Sequence, residues 1–363
     1  METLISIFRE VRDPRDFNAR HDLPAMLFVA LAATLCGAKS CVDIADFAAA
    51  HEEELAEIVE LRHGAPSHDS FSRMFRLLDP DEMAQVFARF VAELRKGLGL
   101  DPAKGVIAVD GKRLRHAYER GRACMPPLMI SVWDAETRLS LATRHAPGGN
   151  EVAGTLAALK GLVLKGGIVT GDALHCHPAM AAEVRATGAH YALKLKGNNA
   201  PLFACVEAAF AAADAGGKLA FYEKSESGHD RQRASVIAKP ADAPAFPDLA
   251  AIGRIETERR AKGKLATSVH YVVLSKRLSP QRMLEVTRTH WSVENQLHWP
   301  LDVVFNEDDA RTRKDFAAQN LAVLRRIAID ILRAHPDNRS VGRKMKLAAW
   351  KKEFFYELFA HLQ

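Results

Sequence analysis

Two short apolar segments that each lead into an aspartate constrain the fold of this chain most. Residues 106–109 precede Asp110, and residues 167–171 precede Asp172. Short apolar runs of this kind are typical of buried β-strands. A carboxylate just past such a strand lies at the rim of a sheet, where a ligand can reach it. A third acid, Glu294, lies in a segment with helical spacing, residues 290–296.

Each acid on its own is weak evidence of a site, because an aspartate at a strand end is more often a turn former or a helix N-cap. Two or three convergent carboxylates are more informative. They hold hard cations such as Mg²⁺, which binds phosphate oxygens. Two such ions can stabilise the attacking and the leaving oxygen of an in-line displacement. The three acids together therefore indicate phosphodiester chemistry.

The first 95 or so residues have the pattern of helices. Pro24 suits the first turn of a helix that reaches Leu35, and Gly37 suits its end. Further helices are predicted up to Leu78 and from Asp79 onward, where apolar residues recur on one face. Two short helices at a tight turn can form a helix-turn-helix that reads DNA. A plain helical bundle fits the same pattern.

The pattern changes after a predicted linker at residues 97–104. Apolar runs at 128–133 and 139–143 flank a hairpin-type connection, and helix and strand patterns then alternate up to residue 195. This is the order of an RNase H-like fold, in which the ends of the first and fourth strands lie side by side. An excess of chain at 219–275 has strand patterns. We therefore predict an α+β / α/β protein: an RNase H-like core with a β-rich insertion, preceded by a helical N-terminal domain.

Several multi-residue motifs occur in the order found in bacterial insertion-sequence transposases. The chain resembles in particular the H-repeat-associated (ISAs-type) family, which carries a DDE catalytic domain preceded by an associated domain. The resemblance extends from about residue 5 to about residue 335. The motifs that carry it are DPR at 13–15, RHDL at 20–23, PSHDSFSRMF at 66–75, IAVDGKRLR at 107–115, TGDALH at 170–175, YALKLKGN at 191–198, HWSVENQLHW at 290–299 and LDVVFNED at 301–308.

The resemblance implies a DNA transposase that cuts the ends of an insertion sequence and joins each 3′-OH to target DNA. It implies Asp110, Asp172 and Glu294 as the catalytic residues and metal ligands. The cofactor would be Mg²⁺, with Mn²⁺ as an alternative. Asp302 matches the family motif and would support the site from behind the ligands. Three acids in a predicted loop compete with Glu294 on charge alone: Glu307, Asp308 and Asp309.

Three domains are expected on the same basis. They are a helical transposase-associated domain at 1–97, an RNase H-like DDE catalytic domain at 104–335 with a β-rich insertion at about 215–278, and a basic helical tail at 336–363. The expected partners are double-stranded DNA, both element ends and target, and further copies of the chain in a homodimer or higher multimer on DNA. Two other functions fit these residues: an RNase H-like hydrolytic nuclease that never joins strands, and an inactive DNA-binding remnant of a transposase.

Basic and histidine side chains near the acids are the candidate DNA contacts. Cations beside a carboxylate suit a phosphate backbone that lies over a metal ion. A solvated loop after Asp110, ordinary edge-strand lysines and an exposed β-turn in the insertion are the alternatives. The predicted DNA contacts are Lys112, Arg113, Arg115, Lys196, His229, Arg231, Arg233, His298 and Arg311.

Two histidines close to Asp172 leave a zinc site open as a further alternative. His175 and His177 form a His-x-His pair, which could bind zinc beside an acid. No Cys-x-x-Cys motif or second His pair completes such a site. Members of the resembled family usually carry Gln where His177 stands, so the role of this position stays open.

The positive charge of the chain is concentrated in its C-terminal part. The net charge of +5 and the pI of about 8.9 do not by themselves name a partner. Residues 311–352, however, carry twelve Lys and Arg against three Asp. Beside a site that processes a polyanion, phosphate contact is the better interpretation, and a solvated helical face is the alternative.

The remaining composition indicates a cytoplasmic protein without a membrane partner. The five cysteines have no paired spacing, as expected of reduced thiols. The most apolar segment, residues 23–37, is too short to span a bilayer as a helix. The first twenty residues have no signal-peptide pattern.

Overall fold

The computed structural model describes residues 1–101, 103–118, 125–217, 219–226, 230–261 and 264–362. The N-terminal part is helical, as predicted. Helix α2 begins after Asp22, whose carboxylate accepts a hydrogen bond from the Ala25 amide at 3.2 Å, and it ends before Gly37, which has a φ of +106°. The fully described residues 1–97 form α1 (Glu2–Phe8), α2 (Leu23–Leu35), α3 (Cys41–Ala50), α4 (Glu52–Ala56), α5 (His68–Leu77) and α6 (Pro80–Gly97).

The described strands form one large mixed sheet in the order β3-β2-β1-β4-β5-β9-β8-β7-β6. Strand β1 is antiparallel to β2 and parallel to β4, and β4 is parallel to β5. The prediction that the first and fourth strands are neighbours is therefore confirmed. The strands are β1 (Val106–Arg113), β2 (Leu128–Asp134), β3 (Leu139–His145), β4 (Ile168–Gly171), β5 (His190–Leu195), β6 (Phe221–Glu226), β7 (Asp230–Ala238), β8 (Ala251–Ala261) and β9 (Lys264–Leu274).

The register between β1 and β4 brings the two aspartates to the same edge of the sheet. Ala108 pairs with Thr170 across the parallel strands, so two residues further on Asp110 and Asp172 continue the same row. Neighbouring strands lie about 4.8 Å apart. Strand β1 itself continues to Arg113 along β2, whereas the sequence predicted that it ends at Asp110.

The predicted β-rich insertion continues the sheet at its β5 edge. Strand β9 pairs antiparallel with β5, and β8, β7 and β6 follow as antiparallel neighbours. Because β9 runs opposite to β5, it ends at the far edge of the sheet from Asp172. Helix α10 (Pro280–His290) then crosses back, and the His290 Nδ1 atom lies 2.9 Å from Thr170 Oγ1 beside the aspartates. The insertion thus returns the chain to the edge that carries the first two acids.

Helices cover both faces of the sheet. One apolar core packs α7–α9 against one face, while α10 and a second group of helices cover the other. In the second group, α12 is buried from Ala317 to Leu332 and packs together with α1–α6 and with α13 and α14 of the predicted tail. No described helix has the length and apolarity needed to cross a membrane. The helices after β3 are α7 (Glu151–Leu159), α8 (Pro178–Ala186), α9 (Ala200–Ala215), α10 (Pro280–His290), α11 (Trp299–Val303), α12 (Ala317–Ala334), α13 (Val341–Trp350) and α14 (Lys352–Glu357).

The interpretation of residues 311–352 as a phosphate-contacting surface is wrong for several of its cations. Arg325, Arg326 and Lys344 are only 4%, 0% and 5% exposed. The Arg326 Nη1 atom lies 3.0 Å from Glu307 Oε1, and the Lys344 ammonium donates to two carbonyls at the end of α12. Charge counted along a sequence does not reveal burial, and these cations are internal. The exposed cations of the segment are Arg311, Lys314, Arg339, Arg343, Lys346, Lys351 and Lys352.

Candidate active site

Asp110 lies partly buried on β1, where the parallel pairing with β4 ends. Its side chain is 24% exposed, and its Oδ1 atom accepts a hydrogen bond from the Gly111 amide at 2.9 Å. Burial raises the pKa of the Asp110 carboxyl to about 7. The negative charges of Glu151, Glu294 and Asp172 contribute to the raised pKa. We call these four acids the acidic rim; their mutual repulsion favours the binding of a cation.

Asp172 follows β4 and begins a short 3₁₀ turn, Ala173–His175. Its side chain is 56% exposed, and its Oδ1 atom accepts a hydrogen bond from the Leu174 amide at 2.9 Å. It therefore has the turn-forming role that is common for aspartate, and it is accessible to a ligand as well. Lys194 follows in the next strand. Burial lowers the pKa of its ammonium group, and the charge of Asp172 opposes this effect.

Glu294 is exposed at the start of a π-helical turn, Glu294–His298, where the sequence predicted an ordinary helix. Val293 and Leu297 are fully buried and anchor this turn in the core. Turns of the π type are rare and occur frequently at functional sites. The turn holds Glu294 near enough for its charge to raise the pKa of Asp110.

His298, at the end of the same turn, lies against Asp110. Its Nδ1 atom is 3.5 Å from Asp110 Oδ2, and its side chain is 13% exposed. Burial, together with the nearby cations Arg326 and Lys112, lowers the pKa of the imidazole to about 3. A neutral imidazole in this position can hold the Asp110 carboxylate in place. The predicted contact of His298 with DNA stays a prediction.

Lys112 belongs to a buried cluster of charges behind the acidic rim. Strand alternation places it on the same face as Asp110, and it is 7% exposed. Its Nζ atom lies 2.7 Å from Asp302 Oδ1 and 2.6 Å from Asp308 Oδ1. The sequence predicted that Lys112 contacts DNA. The structure does not present it to DNA, because its charge already pairs with two carboxylates. Asp302 instead supports β1 through this ion pair.

The three acids that compete with Glu294 on charge are not part of the acidic rim. Glu307 is 1% exposed and pairs with Arg326. Asp308 pairs with Lys112, and the side chain of Asp309 is 71% exposed. Glu294 is the one that contributes to the raised pKa of Asp110. The arrangement favours Glu294 as the third acid.

Of the predicted DNA contacts near the rim, Arg115 and Lys196 are exposed and Arg113 is half-buried. The Arg115 side chain is 75% exposed, with its Nε atom 3.3 Å from Asp308 Oδ2. Lys196 follows β5 at the same edge of the sheet as Asp172.

The predicted DNA contacts of the insertion lie on β7 and pair with a neighbouring strand. Arg231 Nη2 is 2.6 Å and Arg233 Nε is 3.8 Å from the Glu223 carboxylate on β6. These exposed pairs are weak, so the arginines remain accessible to another anion. Arg311 is exposed after α11. His229 lies outside the described residues.

The two histidines after Asp172 have different environments. His177 is the N-cap of α8, and its Nδ1 atom accepts a hydrogen bond from the Met180 amide at 3.2 Å. His175 is 1% exposed, and its Nε2 atom lies 3.4 Å from Glu151 Oε1 and 4.0 Å from Asp172 Oδ1. The Nδ1 atom of His177 thus takes part in the helix cap, whereas His175 faces the carboxylates of Glu151 and Asp172.

Glu151 is a rim residue that the sequence analysis missed. It is the first residue of α7, directly after Asn150, whose side chain caps the helix by accepting a hydrogen bond from the Ala153 amide. The sequence signal was an acid in the first turn of a predicted helix, which usually means no more than a favourable interaction with the helix dipole. Its closeness to Asp110 depends on how α7 packs on the sheet.

The rim has the donor chemistry of a site for a hard divalent cation, since carboxylate oxygens are the ligands such ions prefer. Among the described residues, no three His, Cys, Asp or Glu side chains already stand close enough together to hold a metal ion. Asp172 and Glu294 are exposed, so their carboxylates have room to turn toward an ion. The rim can therefore concentrate positive charge at the end of β1 and β4.

Comparisons with known proteins identify the family of this chain. Residues 5–91 match the family model described as DDE_Tnp_1-associated, and residues 101–331 match the one described as Transposase DDE domain. The "H repeat-associated putative transposase YhhI" of Escherichia coli (strain K12) is 28% identical, over 98% of this chain and 96% of its own length. An uncharacterised protein of Xanthobacter autotrophicus, from the dhlA 3′ region, is 31% identical over 69% of this chain and 77% of its own.

A solved structure that resembles this one is the piggyBac transposase synaptic complex with hairpin DNA, determined by cryo-EM. The alignment has a TM-score of 0.45 and 12% identity, and it covers 99% of this chain and 76% of that one. This likeness is too weak to support a conclusion about the present chain. The two family matches cover most of the present chain, and the choice of family rests on them.

Proposed function

The chain belongs to the family of DDE transposases, which makes it an insertion-sequence transposase, and we propose that Asp110, Asp172 and Glu294 are the three acids that carry its chemistry. The observation that carries this proposal is the convergence of the three carboxylates. Asp110 and Asp172 continue one row of the sheet, and Glu294 approaches from the π-helical turn. Asp110 and Asp172 each come directly after a short apolar segment of the sequence.

The proposed domain organisation follows from the same architecture. We assign the catalytic part, residues 104–335, to the RNase H-like fold. The order β3-β2-β1-β4-β5 supports this assignment, with β1 antiparallel to β2 and parallel to β4. The helical domain at 1–97 and the tail at 336–363 would stand beside this core, although α12–α14 share an apolar core with α1–α6.

DDE transposases typically use a divalent metal, and the residues present fit such an ion. Mg²⁺ is the proposed cofactor, and Mn²⁺ is the alternative. The raised pKa of Asp110 arises partly from three neighbouring carboxylates, and a cation between them would remove this repulsion. Asp110, Asp172 and Glu294 would hold it. When bound, it supplies a Lewis acid that activates oxygen nucleophiles and stabilises negative charge at the phosphate.

The chain's own residues would orient the reacting groups. His298 holds the Asp110 carboxylate from one side, and the pairing of Lys112 with Asp302 fixes the strand beneath it. Water would attack the phosphodiester at the element end and release a 3′-OH. That hydroxyl would then attack a target phosphodiester at the same rim, and the 3′-oxygen of the target strand would leave. No serine or tyrosine nucleophile is required, because neither step forms an enzyme–DNA bond.

The proposed partner is double-stranded DNA, as element ends and as target, bound by a dimer or higher multimer. The exposed predicted contacts Arg115, Lys196 and Arg311 support this, together with the half-buried Arg113. Phosphate contacts of exposed cations provide most of the affinity for DNA and make it dependent on salt. Lys112 is not among the proposed contacts, because its charge is paired with Asp302 and Asp308 inside the protein.

The proposal is tested with full-length protein, Mg²⁺, a labelled element end and a supercoiled plasmid. We expect cleavage that exposes a 3′-OH, followed by a joined product that migrates with the plasmid. Cleavage without joining would instead identify a hydrolytic nuclease. Binding without cleavage under Mg²⁺ and under Mn²⁺ would identify an inactive DNA-binding remnant.

A further inference from the structure

The carboxylate of Glu151 lies against β1, which an acid in the first turn of a helix does not need to do. An ideal Cβ atom built on Gly111 would stand 2.9 Å from the Glu151 Cδ atom and 3.0 Å from its Oε1 atom. A Cβ atom at 111 would force the Glu151 carboxylate to shift, so the absence of a side chain there leaves room for the carboxylate in its present position. The carboxylate therefore rests against the residue that directly follows Asp110.

A buried histidine is aimed at the same carboxylate. His175 is 1% exposed, and within the described part of the chain neither of its ring nitrogens has a hydrogen-bond partner. Its Nε2 atom lies 3.4 Å from Glu151 Oε1 and 4.0 Å from Asp172 Oδ1. Leaving a buried polar group without a hydrogen-bond partner destabilises the folded state. A ring held between two carboxylates at that cost is poised to donate to one of them.

We propose that Glu151 is a fourth carboxylate ligand of the divalent-cation site and that His175 is its positioning residue, which donates from Nε2–H to Glu151. This inference rests on the proposed function for the other three acids. Ligating carboxylates are commonly held by a hydrogen bond from a neighbouring group. His175, fixed by burial beside Gly171, provides such a donor.

The charge of the site supports a ligand role over a structural one. A favourable interaction with the helix dipole does not require the carboxylate of Glu151 to lie near other carboxylates. Glu151 instead adds a fourth negative charge to a rim that already repels itself.

The test measures metal binding by the full-length protein without DNA. Mn²⁺ binding is followed by electron paramagnetic resonance of the free ion, and the Tm is recorded with and without Mg²⁺. We expect Glu151→Gln to weaken Mn²⁺ binding at least tenfold and to reduce the Mg²⁺-induced rise in Tm by at least half. The Tm without metal should stay the same or rise, because one repelling charge is gone while the shape of the side chain is kept.

A matched control is Asp69→Asn. Asp69 is also an acid in the first turn of a helix, α5, and its side chain is 89% exposed. The same loss of one charge there should leave Mn²⁺ binding unchanged. A metal-free Tm that falls in Glu151→Gln, with unchanged Mn²⁺ affinity, would overturn the proposal and make Glu151 a structural residue.

Two further variants keep the outcome decisive. If Glu151→Gln does not fold, Glu151→Asp keeps the charge but withdraws the carboxylate, and wild-type Mn²⁺ affinity in that variant would overturn the proposal. His175→Leu removes the donor, and we expect a smaller loss of about fivefold, since one hydrogen bond contributes roughly 1 kcal/mol. A loss larger than that of Glu151→Gln would make His175 itself a ligand and overturn its positioning role.

Asp110→Asn separates this inference from the function it rests on. Asp110 is a ligand in both proposals, so its loss should abolish the Mg²⁺-induced rise in Tm. If Asp110→Asn leaves metal binding intact, the proposed function fails. If it abolishes binding while Glu151→Gln has no effect, the proposed function stands and only the fourth ligand is wrong.

Discussion

The acidic rim and the charged interior around α12 treat ionisable side chains in opposite ways. At the rim, four carboxylates gather where the pairing of β1 with β4 ends, and burial together with the charges of the other three raises the pKa of Asp110. Around α12, Glu307 is buried with Arg326, at 3.0 Å, and with Arg325, at 3.9 Å. The rim gathers charges of one sign, which a cation would neutralise, whereas Glu307 in the interior faces guanidinium groups of the opposite charge. The number of charged residues in a segment does not distinguish the two situations, but their partners do.

The largest expected effect is the loss of activity when a rim acid is neutralised. Asp110→Asn, Asp172→Asn and Glu294→Gln should each reduce strand cleavage by at least about a thousandfold, because a metal site contributes several kcal/mol of charge stabilisation. DNA binding at moderate salt should persist, since exposed cations supply the affinity. Gel assays of cleavage and binding on the same preparations measure both quantities.

The rim substitutions should not weaken the fold. The pKa of Asp110 is raised above its ordinary value, so the folded protein disfavours the charged form, and the neutral amide removes that penalty near pH 7. The metal-free Tm of Asp110→Asn should therefore equal or exceed that of the wild type.

Normal cleavage by Glu294→Gln would contradict the choice of third acid.

The same chemical change in the charged interior should have the opposite result. Glu307→Gln leaves the buried Arg326 guanidinium without its carboxylate, and breaking a buried pair in this way costs about 3–5 kcal/mol. We expect a lower urea midpoint and reduced folding yield. Asp309→Asn, two residues away at an exposed site, is the matched control and should change stability by less than about 0.5 kcal/mol. A stable Glu307→Gln protein that no longer cleaves DNA would move the third ligand from Glu294 to Glu307.

The comparison also explains how much could be predicted from sequence. The helices of residues 1–97, the β1–β4 adjacency and the strands of the insertion follow from local periodicity and caps. The row that contains Asp110 and Asp172 follows from strand order, so these two acids of the candidate site could be predicted from the sequence. Glu294 required the resemblance to a family, because nothing in helical spacing distinguishes a ligand from an exposed glutamate.

What the sequence did not reveal depends on long-range packing. Lys112 appeared as a DNA contact because it follows Asp110 in a basic run, but strand alternation and two acids nearly two hundred residues away bury it. Arg326 appeared as part of a basic surface, but α12 lies in the core. Glu151 was overlooked because its neighbour Gly111 lies forty positions earlier. In each case the partner, distant in sequence, decides the role.

A salt titration can sharpen the distinction between internal and external cations. Among the exposed cations of 311–352 are Arg343, Lys346 and Lys351. If these contact phosphates, changing all three to Gln should flatten the dependence of log K on log [salt] by ~0.9 per lost contact. The matched control changes Lys160 and Lys165, which are exposed near the opposite edge of the sheet, and should leave the slope unchanged. An unchanged slope in the triple variant as well would make the outer face of α13 an ordinary solvated surface.

The smallest effect is expected at His177, which borders the acidic rim in sequence but serves the fold. Its ring caps α8 through the Met180 amide, and loss of an N-cap costs about 0.5–2 kcal/mol. His177→Gln restores the residue usual in the resembled family and retains a side-chain acceptor, so stability should change by less than about 1 kcal/mol and cleavage under Mg²⁺ should stay within twofold. Metal add-back to chelator-stripped protein completes the test. Because the rim is built of carboxylates, Mg²⁺ and Mn²⁺ should restore activity and zinc alone should not. If zinc alone rescues the wild type and His177→Gln abolishes that rescue, the histidine belongs to the metal site and the division between rim and fold fails at this residue.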